Sequence, residues 1–117
     1  MRDFRDIQVW QKAHLLALAI YQVTMSFPSA EKFGLISQMR RASVSIPANI
    51  AEDCGRTGDA QLAQFMQISM GSASELEYHL LLAHDLKFLP TPEYQRLHEQ
   101  TLEVKRMLAA FLKQLRH

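Results

Sequence analysis

The chain has 117 residues, of which 48% are hydrophobic and 21% charged, and thirteen Lys and Arg against twelve Asp and Glu give a net charge of +1. This length suits a single domain, 1–117, and the near-neutral balance excludes bulk positive charge as a means of holding nucleic acid. The lone cysteine, Cys54, excludes an internal disulfide and is typical of a reducing cytoplasm, which is the location that we expect.

The first predicted helix ends at Phe27-Pro28-Ser29, because a proline restricts the residue before it. Val9 and Leu16 widen its apolar stripe, whose members recur every three or four positions: Trp10, Ala13, Ala17, Ile20, Thr24 and Phe27. The apolar run 15–21 follows a mixed-charge segment, so we interpret it as core helix and not as a signal peptide. No stretch approaches the roughly 20 apolar residues of a membrane span, and we expect no membrane partner.

The second predicted helix, from about Ala30 to Cys54, contains a proline at Pro47. Its stripe is Leu35, Met39, Ala42, Ile46 and Ile50. A proline has no N–H for the carbonyl four residues earlier and its ring displaces that carbonyl, so the sequence predicts a kink. Ser43 and Ser45 could partly satisfy the loosened backbone. A break into two shorter helices is the alternative.

The third predicted helix runs from Asp59 to about Lys87, and the fourth begins with Thr91 as N-cap and Pro92 at the first helical position. The third has the stripe Leu62, Phe65, Ser69, Ala73, Leu76, Leu80 and Ala83. The fourth has the stripe Tyr94, Leu97, Thr101, Val104, Leu108, Phe111 and Leu115. Spacings of three and four are those of a bundle helix.

Four amphipathic helices joined by short connections predict an all-α fold, an antiparallel up-down-up-down four-helix bundle with a proline-kinked second helix. Six leucines do not all fit one core: Leu15, Leu18, Leu81, Leu82, Leu102 and Leu112. They are either a wide core face plus scattered surface leucines or a second apolar face used for self-association.

Charged residues on the second and third helices face each other if the two helices run antiparallel. Arg40 or Arg41 could then form an ion pair with Glu75 or Glu77, which would have a structural role in fixing the register. The alternative is an arginine pair that faces a ligand. Four basic residues follow the last acid of the chain: Lys105, Arg106, Lys113 and Arg116. They either compensate the helix dipole or contact phosphates of a nucleic acid.

The sequence lacks the patterns of the enzyme classes that use small helical folds. No histidine has a glutamate three positions before it, which argues against a di-iron site, and we expect no metal and no cofactor. No arginine precedes a histidine at the spacing of HEPN-type ribonucleases, and there is no phosphate-binding loop or nucleophile elbow. We therefore expect no enzymatic activity.

Three stretches of the chain closely resemble the four-helix bundle proteins of the 23S rRNA intervening-sequence type, also called the S23 family. These are "VWQKAHLLALAIY" (9–21), "FGLISQMRRASVSIPANIAEDCGR" (33–56) and "FMQISMGSASELEYHLLLAHDL" (65–86). The matching positions form the structural signature of the family: Arg40, Arg41, Ser45, Pro47, Asn49, Glu52, Glu75 and Glu77. Where members of this family usually have a glycine followed by an aromatic residue, this chain has Asp53-Cys54. We therefore expect the second helix to end later, at Gly55.

This resemblance implies a compact bundle that assembles into a ring-like homopentamer and has no known catalytic residues. It also implies RNA or nucleoprotein binding, inferred for the family mostly from gene location. Two hypotheses follow: a non-enzymatic assembly that binds structured RNA or a nucleoprotein through basic residues, and a protein–protein scaffold without a nucleic-acid role.

Overall fold

Four α-helices make up most of the chain in the computed structural model, which describes residues 3–54 and 58–115, with the backbone alone at residue 53. The helices are α1 (Gln8–Thr24), α2 (Leu35–Asp53), α3 (Asp59–Asp85) and α4 (Thr91–Leu115). Two short 3-10 turns, Phe4–Asp6 and Ser29–Glu31, precede α1 and α2. The described residues contain no strand, so the fold is all-α as predicted.

Each helix packs against two others, so the four helices form a closed bundle. α2 lies between α1 and α3, and α4 also contacts both α1 and α3, whereas the described parts of α1 and α3 do not touch each other. Contacts between α3 and α4 begin beside their connection, with His84 and Thr91, and continue away from it with Glu77 and Lys105. This order is that of antiparallel neighbours.

The predicted stripes form one apolar core. All five stripe residues of α2 are buried, as are Ala13, Ala17 and Ile20 of α1 and Leu76, Leu80 and Ala83 of α3. Leu112, one of the six leucines that do not all fit one core, is buried and widens the core face of α4, whereas the stripe residues Phe111 and Leu115 are only half-buried. Leu15, Leu18 and Leu81 are exposed.

The helix ends correct three predicted boundaries. α2 begins at Leu35 because residues 29–31 form a separate 3-10 turn, and the Glu31 carboxylate then accepts a hydrogen bond from the Leu35 amide at 3.2 Å. α2 ends at Asp53, before the predicted Gly55, which lies outside the described residues. Thr91 does not act as a cap: the Tyr94 amide already bonds to the Pro90 carbonyl, and the Thr91 hydroxyl contacts His84.

None of the four helices is long and apolar enough to cross a membrane over the part of the chain that the structure describes.

Candidate functional site

Some of the family-signature residues of α2 form a polar seam against α3. Arg41, Ser45 and Asn49 follow one another at intervals of four along α2, so they share one face. The hydroxyls of Ser45 and Ser72 are 2.8 Å apart, and the Asn49 amide donates to the Ser45 carbonyl at 2.8 Å and to its hydroxyl at 3.0 Å. The Ser45–Ser72 bond crosses between the helices and helps to fix the register of α2 on α3, whereas the Asn49 bonds lie within α2 and hold the Ser45 side chain in place.

Pro47 lies buried inside α2, which continues through it without interruption. The alternative of two shorter helices is therefore wrong, and the kink stays a prediction. Polar side chains bond to the backbone around the proline: Ser43 donates to the Arg40 carbonyl at 2.9 Å, and buried Ser69 of α3 donates to the Ile46 carbonyl at 2.8 Å. Neither bond goes to the Ser43 carbonyl, which is the group that loses its helix partner because Pro47 has no N–H.

Arg40 joins α2 to α1 and not to α3. Its Nε donates to the Thr24 hydroxyl at 2.9 Å, Nη2 donates to the Tyr21 carbonyl at 3.3 Å, and the guanidinium lies 4.6 Å from the centre of the Tyr21 ring. The ion pair that the sequence predicted for Arg40 is wrong. These contacts immobilise the arginine within the bundle.

Arg41 extends the polar seam towards Glu75 and His79 of α3. The Glu75 carboxylate lies 3.4 Å from His79 Nε2, and the imidazole is buried while the carboxylate is half exposed. Burial lowers the pKa of His79, the Glu75 charge opposes that shift, and the nearby positive charge of Arg41 adds to it. Within the described residues no direct ion pair joins Arg41 to Glu75 or Glu77.

Glu77 faces the other way, towards α4. Its Oε1 atom lies 2.8 Å from Lys105 Nζ, and both side chains are about one-third exposed. Glu77 therefore pairs with a lysine of α4 and not with an arginine of α2 as predicted. The same contact engages Lys105 within the bundle, although we expected this lysine at a phosphate-contacting surface. Glu52, the remaining signature residue, is exposed near the end of α2.

Two of the predicted basic residues form what we call the basic strip of α4, Arg106 and Lys113. Both are exposed, and seven residues place them two turns apart on one side of the helix, about 10 Å along its axis. Exposed Ala109 and Ala110 lie between them, so no large side chain screens the strip. No ion pair with either cation occurs among residues 3–54 and 58–115. Arg116 lies outside the described residues.

Groups suited to metal chemistry do not converge in the described part of the chain, where no three His, Cys, Asp or Glu side chains could hold an ion. A surface depression of about 600 Å³ between the start of α1 and the end of α4 has Asp6 as its single ionisable lining residue.

Comparison with known proteins agrees with the signature. The family model described as "23S rRNA-intervening sequence protein" matches residues 5–110. A crystal structure from Bacteroides thetaiotaomicron, described as a protein of unknown function from the S23 ribosomal protein family, shares the fold with a TM-score of 0.81 and 24% identity. The match covers 90% of this chain and 98% of that one. No curated protein sequence matches.

Proposed function

The chain belongs to the 23S rRNA-intervening sequence protein family, and we propose that it is a non-enzymatic, self-associating protein that binds structured RNA, free or within a nucleoprotein. Five copies per assembly is the number that the family resemblance implies. The proposed contact surface is the basic strip of α4, Arg106 and Lys113, repeated once in each copy.

The observation that carries this proposal is the contrast between Lys105 and its two basic neighbours on α4. Lys105 is held by Glu77 at 2.8 Å, whereas Arg106 and Lys113 are exposed on the same helix, with Ala109 and Ala110 between them on that side. Free cations at fixed spacing can replace the counterions of phosphates. One strip supplies few contacts, so useful affinity requires several copies acting together.

The absence of enzymatic activity is supported by the placement of His79 and His84, two of the four histidines of the described region; His14 is exposed. His79 is buried beside Glu75, and His84 is bonded to Thr91 and stacked on Tyr94 at 4.5 Å. In both cases the neighbours of the imidazole are other groups of the bundle. A general base must instead reach the proton of a substrate.

The proposal is tested by titrating a structured 23S rRNA fragment and a duplex DNA of equal length against the protein at several salt concentrations. We expect preference for RNA and a log–log slope that steepens by roughly 0.7 to 0.9 for each phosphate contact. The double variant Arg106→Gln/Lys113→Gln should bind more weakly and show a flatter slope. Lys32→Gln/Lys87→Gln removes the same charge from the opposite end of the bundle and is the matched control.

Equal weakening by both double variants would mean that net charge, and not the basic strip, governs binding. No binding of the wild-type protein even at about 50 mM salt, where phosphate contacts are strong, would contradict RNA binding altogether.

A protein–protein scaffold is the second candidate function. The Lys105–Glu77 pair favours it, because this pair leaves fewer cations available for phosphate contacts than the sequence predicted. Its test is affinity purification from nuclease-treated lysate. One stoichiometric protein partner that survives the nuclease, together with no RNA binding in the titration, would favour the scaffold.

A further inference from the structure

A surface depression borders the basic strip of α4, and the proposed phosphate contacts do not use it. It lies between the start of α1 and the end of α4 and has a volume of about 600 Å³. This volume falls within the range of about 300–1,000 Å³ that is usual for ligand pockets. A ligand that combines a negative charge with an apolar group can therefore contact the strip and the depression together.

The depression and the basic strip lie on adjacent sides of α4. Met107 and Gln114 line the depression. Arg106 directly precedes the first of them in the sequence, and Lys113 directly precedes the second. Successive residues of a helix point about 100° apart, so each cation stands one step around the helix from the lining. Exposed Ala110 lies between the two sides and also lines the depression, so a single methyl group separates them there.

Apolar side chains make up much of the lining. Ile7 and Val9, which are buried, and Met107 and Phe111, which are half-buried, all line the depression. Phe111 is the aromatic member of this set. Unpaired bases of RNA stack on aromatic side chains, and every base can make this contact because each has a π face. A flat, largely apolar ring is therefore a suitable occupant of the depression.

The polar part of the lining disfavours phosphate and suits the edge of a base. Asp6 is exposed and is the single ionisable residue of the lining, so the charge there is opposite to that of the strip. The exposed amides of Gln8 and Gln114 can each donate and accept hydrogen bonds, whereas a carboxylate only accepts them. The Asp6 carboxylate therefore favours a base with an exocyclic amino group, such as adenine or cytosine, over uracil, which has none.

A nucleotide joins these two chemistries, because its ribose links a negative phosphate to a flat base. We infer that the depression receives an unpaired base with an exocyclic amino group, while phosphates of the same RNA strand lie on Arg106 and Lys113. Paired bases are stacked inside a duplex, so loops and bulges of a structured RNA are the expected ligands. This inference rests on the proposed RNA binding and adds to it a site that binds the base.

Hairpin RNAs that differ only in their loops test this inference. One hairpin has a loop of adenosines, and the other has the same number of abasic nucleotides, so the phosphates are equal in number. The wild-type protein should bind the adenosine loop at least about fivefold more tightly, which is the lower end of what the stacking of one base supplies. Both hairpins should give the same log–log slope against salt, because that slope depends on the number of phosphate contacts.

Ala110→Leu narrows the depression and leaves both cations of the basic strip in place. This variant should lose the preference for the adenosine loop and keep the salt slope of the wild type. Ala109→Leu is the matched control, because it makes the same change at the adjacent exposed alanine, which does not line the depression, and it should retain the preference. Loss of the preference in both variants, or in neither, would overturn the assignment of the base to the depression.

Asp6→Asn tests the choice of base. The wild-type protein should prefer a loop of adenosines to a loop of uridines, and the variant should show a smaller preference because an asparagine amide can also donate to a uracil carbonyl. An unchanged preference would overturn the selectivity for an amino group. No binding of any hairpin would overturn the proposed RNA binding itself. Equal binding of adenosine and abasic loops, with a steep salt slope, would overturn only the base site.

Discussion

Lys105 on α4 and Glu77 on α3 form a 2.8 Å ion pair, about two turns before the C-terminal end of α3. Both side chains are about one-third exposed, so the pair is more shielded from water and salt than a surface pair. It ties two helices that are joined by a short connection, and it uses the charge of a lysine that would otherwise extend the basic strip.

Removing either member of this pair should lower the free energy of unfolding. We expect about 1 kcal/mol for Lys105→Gln and for Glu77→Gln, because each leaves the other charge partly buried without its partner. The double variant should cost less than the sum of the two, with a coupling of about 0.5–1 kcal/mol in chemical denaturation. Lys12→Gln is the control, since Lys12 contacts Glu103 at 3.5 Å with both side chains more exposed. Strictly additive effects would show that the contact contributes nothing to folding.

The partners of the signature charges illustrate what the sequence could and could not predict. Periodicity identified which face of each helix is buried, because burial depends on a repeat of 3.6 residues that a single sequence displays. Arg40 and Arg41 are successive and therefore point about 100° apart, so one turns to α1 and the other to α3. Treating them as interchangeable partners of the same glutamates was the source of the error.

The same reasoning separates Glu75 from Glu77, which lie two residues and about 200° apart on α3. One consequently lies on the α2 side and the other on the α4 side, where counting outward from the Pro90 connection brings it close to Lys105. That signal was available in the sequence. The bond from Arg40 to Thr24 was not, since Thr24 was assigned to the apolar stripe and its hydroxyl has no periodic signature.

Pro47→Ala tests whether the proline shapes α2. Alanine restores the backbone N–H and has the better helix propensity. It also removes the buried proline ring, and it should straighten α2 near the Ile46 carbonyl, to which Ser69 of α3 donates. We expect a smaller assembly by light scattering and a free energy of unfolding lower by about 1–2 kcal/mol. Ala48→Ser, at the next and exposed position of α2, is the control. An assembly of unchanged mass with higher stability would show that the proline is dispensable.

Stability should fall in mild acid because of His79. Burial first of all, and Arg41 as well, lower the pKa of His79 in the folded protein, and Glu75 only partly opposes this. Below the ordinary histidine pKa of 6.5 the unfolded chain therefore binds protons that the folded chain does not. The contribution of His79 is fully present above that pH and is lost as the pH falls towards the lowered pKa.

Denaturation curves recorded between about pH 5 and pH 8, the range in which histidine titrates, measure this dependence. His79→Leu should flatten it, since leucine has no proton to bind and the imidazole Nδ1 has no hydrogen-bond partner among the described residues. His14→Gln, which removes an exposed imidazole, is the matched control. An equally steep loss of stability in His79→Leu would assign the effect to other groups.

Lys87 adopts a backbone conformation that favours glycine. Its φ of 67° lies in the left-handed region, and the residue follows the C-terminal end of α3. Two backbone hydrogen bonds close the helix there: the Lys87 amide donates to the His84 carbonyl at 2.9 Å, and the Phe88 amide donates to the Ala83 carbonyl at 2.9 Å. A residue with a Cβ atom is strained there, and glycine is the usual choice at this position of a helix C-terminus. Lys87→Gly should therefore raise the free energy of unfolding by about 0.5–1 kcal/mol, because the relief of backbone strain exceeds the added conformational freedom of the unfolded chain.

Lys32→Gly is the matched control, because Lys32 has a φ of −55° and glycine there brings only the entropic cost. Opposite shifts in thermal denaturation are expected for the two variants, and destabilisation by both would mean that the left-handed turn at Lys87 stores no strain.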